Sequence, residues 1–261
     1  MKRLCLFIIL FCSFCLMTKA QDNSIYEKHS YVQAGDTLPY RLLLPVDYDP
    51  AKKYPLILFL HGSGERGRDN ELQLVHGAKL FLSDSVRKNY PAIVVFPQCP
   101  LNSYWSNVQS SIDTVSKKRI MQFPVNGEPT IAMKMLVSLL EKLERDYKLN
   151  KQQIFVGGLS MGGMGTFELV GRKPKFFAAA FPICGGANPA IAKKIKEPAW
   201  WIFHGLKDDV VDPEFSKQMA VALEKVGADV KLTLYPEANH NSWDPAFAEK
   251  NLLSWLFSQT K

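Results

Sequence analysis

One stretch limits what this chain can fold into more than any other: Ile154-Phe155-Val156-Gly157-Gly158-Leu159-Ser160-Met161-Gly162-Gly163-Met164-Gly165-Thr166. The apolar run 154–156 reads as a short buried strand. It is followed by G-x-S-x-G (Gly158 to Gly162) and then by a helix-like segment from Gly163 to about Arg172. Strand, tight turn and helix in that order can hold a serine at the carboxyl end of a strand. Such a turn forces the serine backbone into a strained conformation, and side chains on its flanks would clash. Glycine at 158 and 162 removes them. Ser160 is then expected to expose its hydroxyl near the positive end of a helix. A glycine-rich turn with a bystander serine would look the same over five residues, so the rest of the chain must decide.

The surrounding segments agree with that context. Residues 54–60, 92–96, 177–183, 199–203 and 230–235 are apolar runs with little alternation. Such strands are buried on both faces, which implies a parallel sheet covered by helices. Residues 29–33 and 38–44 alternate around Ala34-Gly35-Asp36-Thr37, a hairpin signal. Residues 131–147 place Met135, Leu136, Leu139, Leu140 and Leu143 on one helical face. Asp212-Pro213 reads as the cap and first-turn proline of a helix to about Val226, ended by Gly227. A last helix is expected from Asp244 or Pro245 to about Phe257. The whole predicts one doubly wound, mostly parallel α/β domain with helices on both faces. Residues 98–129 have weak periodicity, and a stretch of that length inside a compact domain predicts a functional loop or lid.

Residues 1–20 are set apart. Met1-Lys2-Arg3 is basic, Leu4 to Met17 is an apolar run of 14 residues, and Thr18-Lys19-Ala20 offers a small-residue cleavage site. This predicts a signal peptide cleaved after Ala20, too short for a stable membrane span, and an exported mature chain of 241 residues with no integral membrane segment. Cleavage takes three of the 32 basic residues and leaves a net charge of +4 against 25 acidic ones. No dense basic run remains, Lys117-Lys118-Arg119 reads as a solvated loop, and nucleic acid binding has no support. Cys99 and Cys184 are the cysteines left. Export would permit a bridge, but two buried small hydrophobes is the expected state. The one C-x-x-C, Cys12-Ser13-Phe14-Cys15, goes with the signal segment, and the expected mature chain has neither that motif nor H-E-x-x-H, so neither a metal nor a cofactor is called for.

A nucleophilic Ser160 needs a base, an orienting acid and an oxyanion hole. The run 199–203 ends in His204-Gly205-Leu206-Lys207-Asp208-Asp209-Val210-Val211, which puts Asp208 and Asp209 in a loop suited to the acid. The last strand-like run leads to Pro236-Glu237-Ala238-Asn239-His240, so His240 stands where the base should. His29 and His76 lack such placement, and His61 and His204 are expected to stabilise strand-end turns. For the oxyanion hole, one N–H belongs to Met161. The second is assigned to Ser63 in the glycine-rich loop Leu60-His61-Gly62-Ser63-Gly64-Glu65-Arg66-Gly67. Glu65 and Arg66 are read as an ion pair beneath that loop or as contacts to the substrate.

Four segments in order (His61 to Gly67, Pro97-Gln98-Cys99-Pro100, Gly158 to Gly165, His204 to Val211) resemble the secreted α/β-hydrolase esterases of the dienelactone-hydrolase-like and polyhydroxybutyrate-depolymerase-like groups, some known as predicted peptidases. The resemblance covers nearly all of the mature chain. It implies the α/β-hydrolase fold with about eight strands, and a Ser-Asp-His serine hydrolase. The activity implied is a feruloyl or acetyl esterase acting on plant polysaccharide or small esters, with no cofactor. The pattern H-G-x-x-D-x-x-V selects Asp208, with Asp209 as the fallback and Asp212 a helix cap. Dienelactone hydrolase carries cysteine where Ser160 stands, so its lactone chemistry does not transfer. The family often has glycine before the histidine; Asn239 stands there instead, a residue tolerant of left-handed backbone.

Trp105 and Trp243 are candidates for stacking on a sugar or aromatic acyl group, whereas Trp200 and Trp201 belong to the core. Two other readings compete with the esterase: a serine peptidase of the same fold, and a hydrolase-fold protein that binds carbohydrate without catalysis.

Overall fold

The structure, a computed structural model, describes residues 23–115 and 119–261. The expected signal segment, and Lys117 and Lys118 of the basic loop, therefore lie outside the described residues. In chain order the elements are β1 (Glu27–Gln33), β2 (Asp36–Leu43), β3 (Tyr54–Leu60), α1 (Asp84–Asn89), β4 (Ile93–Pro97), β5 (Gln109–Ile112), β6 (Arg119–Gln122) and α2 (Ile131–Asp146). Then follow β7 (Leu149–Leu159), α3 (Met161–Arg172), β8 (Ala179–Ile183), β9 (Ala199–Gly205), α4 (Glu214–Lys225), β10 (Val230–Tyr235), α5 (Trp243–Phe247) and α6 (Leu252–Ser258).

Eight strands form one sheet in the order β1-β2-β4-β3-β7-β8-β9-β10. The pairs β1–β2 and β2–β4 are antiparallel and the rest are parallel, which is the α/β-hydrolase arrangement. Because β3, β4, β7, β8, β9 and β10 run the same way, the loops that follow them gather at one edge of the sheet. In open α/β sheets that edge is where ligands are handled.

The apolar runs lack alternation because both faces are covered. Leu56, Leu58 and Leu60 of β3 point into one core with Met135, Leu139, Phe167 and Trp200. Ile57 and Phe59 point into the other with Phe155, Phe181, Trp201 and Phe203. Trp200 stacks on Phe167 at 5.0 Å and donates from Nε1 to the Ile195 carbonyl at 3.0 Å. Trp201 donates to Thr233 Oγ1 at 2.9 Å. Both indoles thus satisfy their N–H groups inside the core, as burial demands. β10 is only half-buried because it is an edge strand. Among the described residues no helix is long and apolar enough to cross a membrane.

Three elements differ from the sequence expectations. The β1–β2 turn has two residues rather than four, with Gln33 opposite Asp36. Ala34 (φ 52°) and Gly35 (φ 87°) both adopt the left-handed backbone that matches strand twist in a two-residue hairpin. The terminal helix is two helices, α5 and α6, because the exposed stretch around Lys250 and Asn251 supplies no apolar face to continue the first. The segment 98–129 contains a small antiparallel sheet, β5 with β6. Near its exit and return, Thr130 Oγ1 donates to the Tyr104 carbonyl at 2.6 Å and Ser103 Oγ accepts from Ala132 N–H at 3.1 Å. The excursion also folds back onto α3: Asn107 N–H donates to Glu168 Oε2 at 2.6 Å, and Arg172 to the Gly127 carbonyl at 2.8 Å.

Candidate active site

Ser160 occupies the turn between β7 and α3 with φ 53° and ψ −117°, a conformation most side chains avoid. Strain of about 1–3 kcal/mol is typical there, and the surroundings hold it. Its N–H donates to the Ile183 carbonyl of the neighbouring strand at 2.9 Å, and its carbonyl accepts from Met164 N–H at 3.0 Å. The flanking glycines allow the turn to sit against β3: a β-carbon on Gly158 would meet the Leu60 carbonyl oxygen at 2.8 Å, and one on Gly162 would overlap it.

Two hydrogen bonds then link three elements of the sheet. Ser160 Oγ lies 2.9 Å from His240 Nε2, and His240 Nδ1 lies 2.8 Å from Asp208 Oδ2. Asp208 Oδ1 accepts from the N–H groups of Val210 and Val211, both at 2.9 Å, and Oδ2 also faces His204 Nε2 at 3.1 Å. Burial alone would raise the Asp208 pKa, but the donors from His204, His240 and Val211 outweigh it and hold the carboxyl below its usual range. The group is thus a carboxylate with an acceptor aimed at His240 Nδ1, which leaves Nε2 to take a proton from serine.

Asp209 is exposed, and its N–H donates to Asn239 Oδ1 at 3.1 Å, so it takes no part in this chain of bonds. Asp212 stands just before the N-cap Pro213 of α4, its Oδ1 accepting Glu214 N–H at 2.9 Å. Asn239 does not adopt a left-handed backbone, unlike the expectation. Its side chain instead accepts from His240 N–H at 2.6 Å as well as from Asp209 N–H, and so ties the histidine loop to the acid loop.

The loop after β3 runs beside the serine: a β-carbon on Gly62 would stand 3.7 Å from Ser160 Cβ. Ser63, the next residue, is exposed at the start of a short 3-10 turn, and Met161 is buried in the first turn of α3. N–H groups in a first helical turn have no carbonyl within the helix to donate to. Gln98, fully buried, pins this loop: it accepts Asn70 N–H at 2.8 Å and donates to the Glu65 carbonyl and to Asp69, each at 3.2 Å. His61 braces the same loop by accepting Cys99 N–H at Nε2 (2.9 Å) and donating from Nδ1 to the Gly62 carbonyl (2.6 Å). Burial lowers its pKa to about 4, so this imidazole is neutral. The Pro97-Gln98-Cys99-Pro100 segment is therefore the anchor of the glycine loop, a role its sequence does not announce.

Two expectations are corrected. Glu65 and Arg66 do not pair: Arg66 donates to the carbonyls of Ser63 and Leu101, both at 3.1 Å, whereas Glu65 faces His76 at 3.9 Å. Trp105 is wholly buried against Gly165, where a β-carbon would meet it at 2.5 Å, and edge-on to His61 at 5.5 Å. It has no free face to offer a ligand. Trp243 does lie at the site, its ring 5.5 Å from that of His240 and 5.0 Å from that of His76. Its distance of three residues from His240 is the only signal for this in the sequence.

A cavity of about 250 Å3 lies beside α3, walled by Met164, Glu168, Phe123, Asn188 and Ile191 among others. Met164 places it one helical turn from Ser160, although Ser160 is not in its wall. Cys99 and Cys184 are both free and buried. Cys184, Asp208 and His240 bring ligand atoms within 4.8 Å of one another, a grouping of metal-binding type. Burial pushes the Cys184 thiol up, and a protonated thiol is a poor ligand. Asp208 and His240 are bonded to each other, and His240 to Ser160, in a relay that does not include the thiol.

Comparison with known proteins agrees with this geometry. Residues 46–251 match the family model described as Phospholipase/Carboxylesterase. Lysophospholipase-like protein 1 of Mus musculus is 26% identical over 211 residues, which is 78% of this chain and 86% of that protein. Feruloyl esterase C of Emericella nidulans is 26% identical over 174 residues, 66% of this chain and 55% of that protein. A solved structure described as a thermostable esterase superposes with a TM-score of 0.81 at 34% identity, covering 91% of this chain and 64% of that one. The chain thus spans less than two thirds of the length of these last two proteins.

Proposed function

The chain belongs to the phospholipase/carboxylesterase family of α/β-hydrolases and is a serine hydrolase of carboxylic esters, and we propose that it is an exported enzyme cleaving feruloyl or acetyl esters of plant polysaccharide. The observation that carries the chemistry is the unbroken line from Ser160 Oγ through His240 to Asp208, with contacts of 2.9 and 2.8 Å. His240 takes the Ser160 proton as the oxygen attacks the ester carbonyl. Backbone N–H groups of Met161 and Ser63 stabilise the oxyanion, and Asp208 holds the imidazole in the tautomer that leaves Nε2 free. The alcohol departs with the proton from His240, and water then repeats the sequence on the acyl-enzyme.

The substrate class is supported by the resemblance to feruloyl esterase C and by the cavity beside α3. That cavity joins apolar Phe123, Met164 and Ile191 to polar Glu168 and Asn188, a mixture suited to an aromatic acyl group or a sugar. Segment 98–129 is the substrate loop in this reading, and Trp243 the aromatic contact beside His240. Export rests on the composition of residues 1–20.

The test compares wild type with Ser160→Ala on p-nitrophenyl acetate at pH 7 to 8, then on methyl ferulate, acetylated xylan and a peptide p-nitroanilide. Turnover of the first ester with loss of several orders of magnitude in the variant is expected. Preference for ferulate or acetylxylan over the remaining substrates is expected next. Turnover of the anilide alone, or of nothing, would overturn the proposal.

A further inference from the structure

Asp208 carries a second histidine. His204, the penultimate residue of β9, is fully buried, and its Nε2 lies 3.1 Å from Asp208 Oδ2 and 3.0 Å from the Val211 carbonyl. Both neighbours are acceptors, so Nε2 must carry the hydrogen. Its Nδ1 lies 2.7 Å from Ser216 Oγ of α4, and that hydroxyl is in turn 3.0 Å from the Gly185 carbonyl after β8. Contacts at both nitrogens, to three residues, fix the ring in plane and orientation. The same Asp208 oxygen accepts from His240 Nδ1 at 2.8 Å.

We infer that His204 is a positioning residue for acyl transfer: its Nε2–H holds Oδ2 of Asp208 in the direction from which that oxygen accepts the His240 Nδ1–H. The inference rests on the esterase reading above and deepens it. Asp208 sits on a short loop, and its other oxygen is held by N–H groups of that same loop, so those bonds move with it. His204 stands on the sheet, and its ring is braced by Ser216 of α4, outside the acid loop. It is therefore the contact that fixes the acid relative to the strands carrying Ser160. A serine that is correctly placed still transfers its proton poorly when the imidazole is free to swing, and about 1 Å of misplacement can lower the rate roughly 100-fold.

The experiment measures kcat and KM on p-nitrophenyl acetate for wild type, His204→Phe, His204→Gln, Ser216→Ala and Ser160→Ala. Rates are referred to the folded fraction from near-ultraviolet circular dichroism. His204→Phe keeps the ring volume and loses the donor, and kcat is expected to fall roughly 10- to 100-fold with KM within two-fold. His204→Gln puts an amide N–H near the place of Nε2 and is expected to restore most of that loss. A purely structural histidine would lower the folded fraction in both variants and leave kcat per folded molecule unchanged. That result, or equal loss in the two variants, overturns the inference. Should His204→Phe not fold, Ser216→Ala decides, because it leaves the ring but removes its brace. A several-fold fall in kcat at constant KM supports the inference, and an unchanged kcat overturns it. Failure of the esterase reading shows separately, as a wild type without ester turnover or a Ser160→Ala variant that retains it.

Discussion

The backbone of Gly162 lies so close to the carbonyl of Leu60 that a β-carbon on the glycine would overlap the oxygen. The end of β3 and the first turn of α3 are thereby locked together beside Ser160. Gly162→Ala is expected to yield insoluble or unfolded protein, read by circular dichroism and gel filtration. A β-carbon on Gly171, in the last turn of α3, would meet only Ile195 Cγ2 at 3.7 Å. Gly171→Ala is expected to fold and to gain about 0.5–1 kcal/mol in urea unfolding, since alanine favours helix over glycine.

The two adjacent aspartates should separate cleanly in kinetics. Asp208→Asn replaces the acceptor that His240 needs, and kcat is expected to fall roughly 10³- to 10⁴-fold. Asp209→Asn keeps the N–H that Asn239 holds and should stay within about three-fold of wild type. Comparable losses in the two variants would contradict the assignment of the acid.

Gln98 is tested through the loop it pins. Gln98→Ala leaves Asn70 N–H and the Glu65 carbonyl without their buried partner. A stability loss of about 1–3 kcal/mol is expected from urea titration. The fall in kcat on p-nitrophenyl acetate should exceed any change in KM, because the loop beside Ser160 loses its anchor. A variant as stable and as active as wild type would remove Gln98 from this role.

His61 gives stability a pH dependence of known sign. Its folded pKa is lowered to about 4 by burial, whereas an unfolded histidine titrates near 6.5. Between those values the unfolded chain holds the extra proton, so stability rises with pH across the window and is lost on acidification from 6.5 towards 4. The contribution is on the order of 3 kcal/mol. Urea midpoints of wild type should fall over that interval more steeply than those of His61→Gln, which cannot take up the proton.

How much of this was legible depended on whether the constraint was local. The turn around Ser160 could be read because its glycines and its strand-to-helix change occupy consecutive residues. His240 could be read because its place follows the last strand. Choosing Asp208 over Asp209 needed the family pattern, and the structure supplies the reason: His204 at i−4 and Val211 at i+3 both bond that carboxylate. Trp105 was not legible, since nothing near it in the chain reveals that Gly165, sixty residues on, leaves room for its indole. The β5–β6 pair is not legible because seven of its eight strand residues are exposed, so no alternation marks it. At Asn239 the residue type points to the backbone, whereas the side chain carries the contact.

The excursion between β4 and α2 leaves and returns through one neck, where Ser103 and Tyr104 meet Thr130 and Ala132. Ser160, His240 and Asp208 all lie outside it, on turns rooted in the sheet. Exposed residues of β5 and β6, beyond that neck, can therefore be exchanged while the proton path stays where the strands put it.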